Sequence, residues 1–383
     1  MSICKASEQY LHQLRQRYRK STKKQRGRIL DEFVETTGCH RKHAIALLRG
    51  KRQYRNRQVP IRRPRQRIYN DEDKRAVLWL AELFDQIGSK RLRAAMDVEL
   101  KALYRQQYLR VSVACFKRLQ RISPETMDRL RHAERRPSSR RRGGTKPGTL
   151  LKSEIPIRTF ADWDNKQPGF EEIDLVQHDG GNPSDSFACT LNVTDVCTGW
   201  TEMRAVPTKA QKHVFAALGQ IRIRLPFPLL GLDSDNGAEF INDQLVRYCT
   251  AEKITFTRGR TGHKNDNPYV EQKNWSVVRR LVGYARYDTL RQVNQLNALY
   301  AVYRLYVNHF VPIQKLVSKV REGHKTHKVY DAYKTPYQRV LDSSDVSKQA
   351  KRQLRIIHSQ LGVVQLKRQI DELLDALTPS KQW

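Results

Sequence analysis

Cysteine is scarce and nowhere paired in this chain of 383 residues. Cys4, Cys39, Cys115, Cys189, Cys197 and Cys249 are scattered, without a single CxxC. That excludes a zinc ribbon and argues against a disulfide frame; the expected state is reduced thiols in a cytosolic protein. No run of 18 apolar residues and no amphipathic anchor is present, so no membrane partner is expected. The opening stretch "MSICKASEQYLHQLRQRYRK" lacks an apolar core of signal-peptide length. A phosphate-cradling Gly-rich loop of Walker type is also missing, so the chain is not itself an ATPase. Acids are in short supply: 39 Asp and Glu stand against 72 Lys and Arg, a net charge of +33. Such a charge opposes compaction unless a polyanion neutralises it, and nucleic acid is the commonest polyanion.

What is present suffices for two or three packed domains, with 39% hydrophobic residues, five Trp and sixteen Tyr. Residues 1–67 have helical periodicity and are very basic. Ile29, Leu30, Phe33 and Val34 fall on one helical face, Gly38 makes a turn, and Ala44, Leu47 and Leu48 face inward from a second short helix. Helix, Gly turn, helix is the helix-turn-helix outline, although an ordinary helical hairpin has the same pattern. Arg41, Lys42, Ile45 and Arg49 would then face a DNA groove, followed by a basic arm at 51–67. Residues 68–134 read as a second helical, helix-turn-helix-like domain. Ser123 is placed as N-cap and Pro124 at the first helical position of its last helix, which carries Arg129 and Arg131. "RRPSSRRRGGTKPG" makes 135–155 a basic linker. A helical, basic C-terminal region is expected over 313–383.

Between 156 and 312 the period changes. "GFEEIDLVQHD", "FACTLNVTD" and "GWTEMRAVP" read as strands. A helix ("KAQKHVFAALGQIRIRL"), a buried strand ("FPLLGLD"), a helix ("GAEFINDQLVRYCTAEK"), a strand ("ITFTR") and a long helix ("NPYVEQKNWSVVRRLVGYAR") follow. The expectation is an α/β core with a mixed sheet flanked by helices. Asp174 interrupts the apolar strand "EEIDLVQ", where a buried carboxylate needs a cationic or metal partner. Asp233 and Asp235 end the buried strand, where open α/β sheets place ligands, although Asp, Asn and Gly there also suit a helix cap. Glu271 lies in the first turn of the long helix, with Asn267 and Trp275 one turn to either side.

Between Asp235 and Glu271 lie 35 residues. "IDLV", "DSDNGAEF" and "KNDNPYVEQKNWSVVRR", in that order, resemble the superfamily of retroviral integrases and bacterial insertion-sequence transposases, over roughly residues 155–315. "TDVCTGWTEMRAV" and "YVNHFVPIQKL" add to the likeness. The resemblance implies an RNase H-like core with a five-stranded sheet and a D-D-E triad of Asp174, Asp235 and Glu271. These acids would hold two Mg²⁺ ions, with Mn²⁺ as an alternative. Asp233 and Asp179 are second choices: Asp233 does not precede the Asn236-Gly237 pair that follows the family's second aspartate, and Asp179 falls in a Gly turn. Asn236, Asn267 and Trp275 are supporting residues; Asn267 also suits an N-cap, and Trp275 either stacking on a base or packing in the core.

The chemistry implied is hydrolysis at the transposon end to free a 3′-hydroxyl, which then attacks target DNA. Arg258, Arg260, Lys264, Lys273 and Arg279 surround the glutamate in sequence and are candidates for phosphate contacts. The partners implied are terminal inverted repeats and target DNA, a second copy of the chain, and in some systems an ATPase helper. The place implied is the bacterial cytoplasm, at the nucleoid. A catalytically silent DNA-binding regulator and an RNase H-like nuclease that cuts without joining are the rival readings. Cys39, His40 and His43 resemble half a zinc site, but the distant CxxC is absent, so they read as helix surface. His324 and His327 likewise read as surface.

Overall fold

The computed structural model describes residues 5–50, 68–132, 167–234, 240, 243–258, 268–322 and 325–377. The basic arm at 51–67 and the linker at 135–155 lie outside these. The chain divides into two compact units, Met1–Ile68 and Tyr69–Trp383.

The first unit has three described helices, α1 (Lys5–Lys20), α2 (Lys23–Thr37) and α3 (Arg41–Leu48). Leu14, Tyr18, Ile29, Leu30, Phe33, Ala44, Leu47 and Leu48 form its core. Gly38 ends α2 at φ 65°, a left-handed conformation that glycine adopts without steric cost. His40 then caps α3, its Nδ1 accepting from the Lys42 amide at 3.3 Å. Arg41, Lys42 and Arg49 are exposed, whereas Ile45 packs partly against the core.

In the second unit, four helices come first: α4 (Asp71–Leu83), α5 (Ser89–Arg105), α6 (Val113–Leu119) and α7 (Pro124–Arg131). The start of α7 is the one legible in the sequence, with Ser123 Oγ accepting from the Thr126 amide at 3.2 Å. A five-stranded sheet follows, ordered β3-β2-β1-β4-β5. Its strands are β1 (Phe170–Gln177), β2 (Cys189–Asp195), β3 (Thr201–Val206), β4 (Gly231–Ser234) and β5 (Thr255–Arg258). The first three are antiparallel, and β4 and β5 run parallel to β1 and to each other. This is a mixed sheet of the kind expected.

Period-2 alternation sorts the side chains of β1 and β2 between two cores. Ile173, Leu175, Leu191 and Val193 meet helices α8 (Gln211–Arg222) and α9 (Asp243–Ala251). Val176, Ala188, Met203 and Ala205 meet the 21-residue helix α12 (Leu290–Phe310) on the other side. Between them in sequence, α10 (Pro268–Lys273) continues as a π-helical segment, Asn274–Arg279, and ends as α11 (Arg280–Val282).

Two regions differ from expectation. Helices α4 to α7 do not form a core of their own: Leu80, Leu92, Met96 and Leu119 belong to the same cluster as α12 and the sheet. The C-terminal region is not helical throughout. It begins with an antiparallel ribbon, β6 (Leu316–Glu322) and β7 (Lys325–Tyr330), before α13 (Pro336–Asp342), α14 (Lys348–Gln360) and α15 (Val363–Ala376). Val363, Val364, Leu366 and Ile370 of α15 join the α12 core, each worth roughly 1.5–3 kcal/mol of burial. No helix among the described residues is long and apolar enough to cross a membrane.

Candidate active site

Glu172 and Asp174 alternate onto the face of β1 opposite Ile173 and Leu175. In the parallel register Glu172 lies beside Asp233 of β4, and in the antiparallel register Asp174 lies beside Asn192 of β2. One edge of one face therefore gathers three acids and an amide. Glu172 is fully buried and serves the architecture, since its Oε2 accepts from the Val270 amide at 3.0 Å. Val270 is the third residue of α10, so the carboxylate takes the place of a capping side chain and meets the positive end of the helix. Asp233 is also fully buried, and Thr257 Oγ1 donates to its Oδ1 at 2.5 Å.

Asp174 is only half-buried. Its Oδ1 accepts from the Leu175 amide at 2.7 Å, and its Oδ2 from Asn274 Nδ2 at 2.5 Å. Asn274 is held in turn, because Asn192 Nδ2 donates to its Oδ1 at 2.7 Å. The two amides thus fix each other's orientation and that of the carboxylate. Asn274 opens the π-helical segment, three residues after Glu271. The helix bearing Glu271 is therefore pinned to β1 on both sides of that residue, at Val270 to Glu172 and at Asn274 to Asp174.

Asp235, Asn236, Asn267, Arg260 and Lys264 lie outside the described residues, as does the side chain of Glu271. The last described β1–β4 pair is Ile173 with Ser234, and the residues that follow those two in sequence are Asp174 and Asp235. Asp179 sits in the Gly turn, its Oδ1 accepting from the Gly181 amide at 3.0 Å. Trp275 is 55% exposed, so it is not a core side chain.

Among the cations read as DNA contacts, several are engaged inside the protein. Lys273 is buried and its Nζ donates to the Gly199 carbonyl at 3.2 Å; burial pushes its amine down to about 7. Arg131 is 3% exposed and donates to the Ile87 carbonyl, Ser89 Oγ and Gln86 Oε1. Arg258 is buried, and Arg279 donates to the Gln177 carbonyl at 2.6 Å while lying over the Tyr284 ring. Arg129, like Arg41, Lys42 and Arg49, is exposed.

Sequence reasoning passes over Asn192, Asn274 and Glu172. Glu172 is within its reach, two residues before Asp174 and hence on its face. Asn274 follows Glu271 at helical spacing. Asn192 is joined to the site only through strand register, which leaves no local signal.

No family model matches the chain. It is 41% identical, over 318 residues spanning 82% of this chain and 89% of the relative, to the uncharacterized protein y4rM of Sinorhizobium fredii (strain NBRC 101917 / NGR234). The chain belongs to the family of that protein. Solved structures similar to part of it include the catalytic core domain of BIV integrase, at 20% identity, TM-score 0.30, 44% of this chain and 91% of that one. Another is the HTLV-2 integrase catalytic core domain in complex with magnesium, in its dimeric form, at 15% identity, TM-score 0.30, 39% of this chain and 93% of that one.

Proposed function

We propose that the chain is a DNA transposase that cleaves at the ends of a mobile element and transfers the freed 3′-hydroxyl into target DNA. The observation that carries this reading is the Asp174–Asn274 hydrogen bond, which ties a strand carboxylate to the helix of Glu271. Asp235, separated from Glu271 by 35 intervening residues, is the third member of the proposed triad. The net charge of +33 supports a polyanionic substrate.

The residues present fit a hard divalent cation. Carboxylates are the donors Mg²⁺ prefers, and Asn192 Oδ1 beside them is buried without a hydrogen-bond partner among the described residues. Asp174, Asp235 and Glu271 would hold two such ions, which when bound activate water and relieve charge on the leaving oxygen. The chain's own contribution is orientation. Asn274 and Asn192 hold the Asp174 carboxylate in one rotamer, and Glu172 anchors the helix that carries Glu271. Cleavage consumes water and releases the 3′-hydroxyl. Joining exchanges one phosphodiester for another, so neither step needs ATP. Bringing two ends together calls for more than one copy of the chain.

The test is cleavage and strand transfer on DNA bearing the element's own ends, with Mg²⁺, and with DNA binding measured in parallel. Asp174→Asn and Glu271→Gln are expected to bind DNA and do neither reaction. Asn274→Ala should lose about 10–100-fold in rate, as outer-shell ligand supports do. Binding without chemistry in the wild type would instead favour a DNA-binding regulator. Cutting without joining would leave a nuclease.

A further inference from the structure

Behind the helix of Glu271 the second unit holds a cleft of about 600 Å³. Its walls come from the α4–α5 connection, α10 and its π-helical continuation, α12, and the chain around the β6–β7 ribbon. Two features set its chemistry. The first is aromatic: Trp275, Tyr303, Tyr330 and Tyr333 all line it. Trp275 and Tyr330 leave 55% and 47% of their surfaces open, an unusual state for large rings that a core would bury.

The second feature is cationic. Arg91 and Arg280 line the cleft, and among the described lining residues Asp85 is the one acid. Asp85 is already matched by Lys367, 2.8 Å away, so the field in the cleft is positive. Arg91 is anchored by its Nε, which donates to the Pro312 carbonyl at 2.8 Å. Arg280, five residues after Trp275, is exposed. Anchored and free guanidiniums beside open rings make a site for a planar, anionic ligand. The volume matches one or two nucleotides.

We propose that this cleft binds unpaired nucleotides of single-stranded DNA, their bases stacked on Trp275 and Tyr330 and their phosphates on Arg91 and Arg280. The proposal rests on the transposase reading for its source of single strand, since Trp275 follows Glu271 by one helical turn. A strand frayed from the duplex at the cutting site would enter here. Stacking on aromatics is sequence-tolerant, so no base preference is expected.

The experiment is equilibrium binding of a fluorescein-labelled ten-residue oligothymidylate, and separately of a labelled duplex, to the full chain. Wild type is compared with Trp275→Ala and Arg280→Ala, with Lys348→Ala, an exposed cation on α14 that does not line the cleft, as the control. Neither binding measurement requires cleavage, so a failed transposase reading leaves the result interpretable. About tenfold weaker oligothymidylate binding is expected for each cleft variant. Duplex affinity should change less than threefold, and Lys348→Ala should bind the single strand like wild type. Far-ultraviolet circular dichroism checks that each variant is folded, and Trp275→Phe, which keeps a ring, should restore most of the affinity. Unchanged single-strand binding in both cleft variants would overturn the proposal. So would equal loss of single strand and duplex, or competition by free thymidine monophosphate as strong as by the oligonucleotide.

Discussion

Glu171 shows what a single misplaced charge does to this fold. It is fully buried on β1, one residue from Glu172 but on the opposite face, and neither carboxylate oxygen has a hydrogen-bond partner among the described residues. Burial first, then Asp195, Glu202 and Glu172, push its carboxyl well above the usual range. The folded state therefore keeps a proton that the unfolded chain releases above about pH 4.5. Stability from this group is complete below that pH and is lost as pH rises towards the raised folded value. Glu171→Gln, which cannot ionise, is expected to match wild type in melting temperature at pH 4 and to exceed it by several degrees at pH 8. Equal melting curves at both values would show that Glu171 finds a counter-charge. The sequence offers a hint here: "FEEID" sets three acids in one strand, and period-2 alternation puts only Glu172 and Asp174 on one side. Which side each faces is settled by α10, whose amide claims Glu172.

At the scale of elements, the junction before β1 is the most constrained. Gly169 has φ 111°, and a Cβ there would stand 2.3 Å from the Pro228 carbonyl oxygen. Its own carbonyl accepts from the Leu230 and Gly231 amides, so it joins the start of β1 to β4. Gly169→Ala is expected to cost roughly 2 kcal/mol or more, through strain and a shifted β1–β4 register. Chemical denaturation would read this as a lower midpoint with an unchanged slope. The same region shows where periodicity succeeds. All five strands are legible because their apolar runs sit between turn residues. β4 is shorter than "FPLLGLD" suggests, since Phe227 and Leu229 are buried outside any strand. The ribbon β6–β7 escapes the reading although "LVSKVREGHKTHKVY" carries Gly323 between two alternating runs; the strongly helical residues after it colour the whole region. The π-helical segment has no sequence signature. Within it Asn274 reaches Asp174 while Val277 and Val278 stay buried.

For the whole molecule, α12 is the shaft on which the second unit is built. Asn308 exchanges two hydrogen bonds with the Thr201 backbone, Arg304 grips the Glu202 carboxylate, and Tyr306 donates to the Leu83 carbonyl at 2.8 Å. Helix α15 covers another side. A chain of 69–383 is expected to melt as cooperatively as the same unit in the full protein. One ending at 361, without α15, should lose that cooperativity and bind a hydrophobic dye, as calorimetry and dye fluorescence would record. That dependence has a cost in time. Gln365 donates to Tyr108 at 2.6 Å across 257 positions of chain. At about 5–20 residues per second, a ribosome needs about 13–50 s to travel that distance. For that interval helices α4 to α7 can pack on one another and, once α12 is made, against it, but they lack α15. Until α15 arrives the apolar surface it covers stays open, so the half-made unit is expected to engage chaperones, which crosslinking on stalled ribosomes would detect.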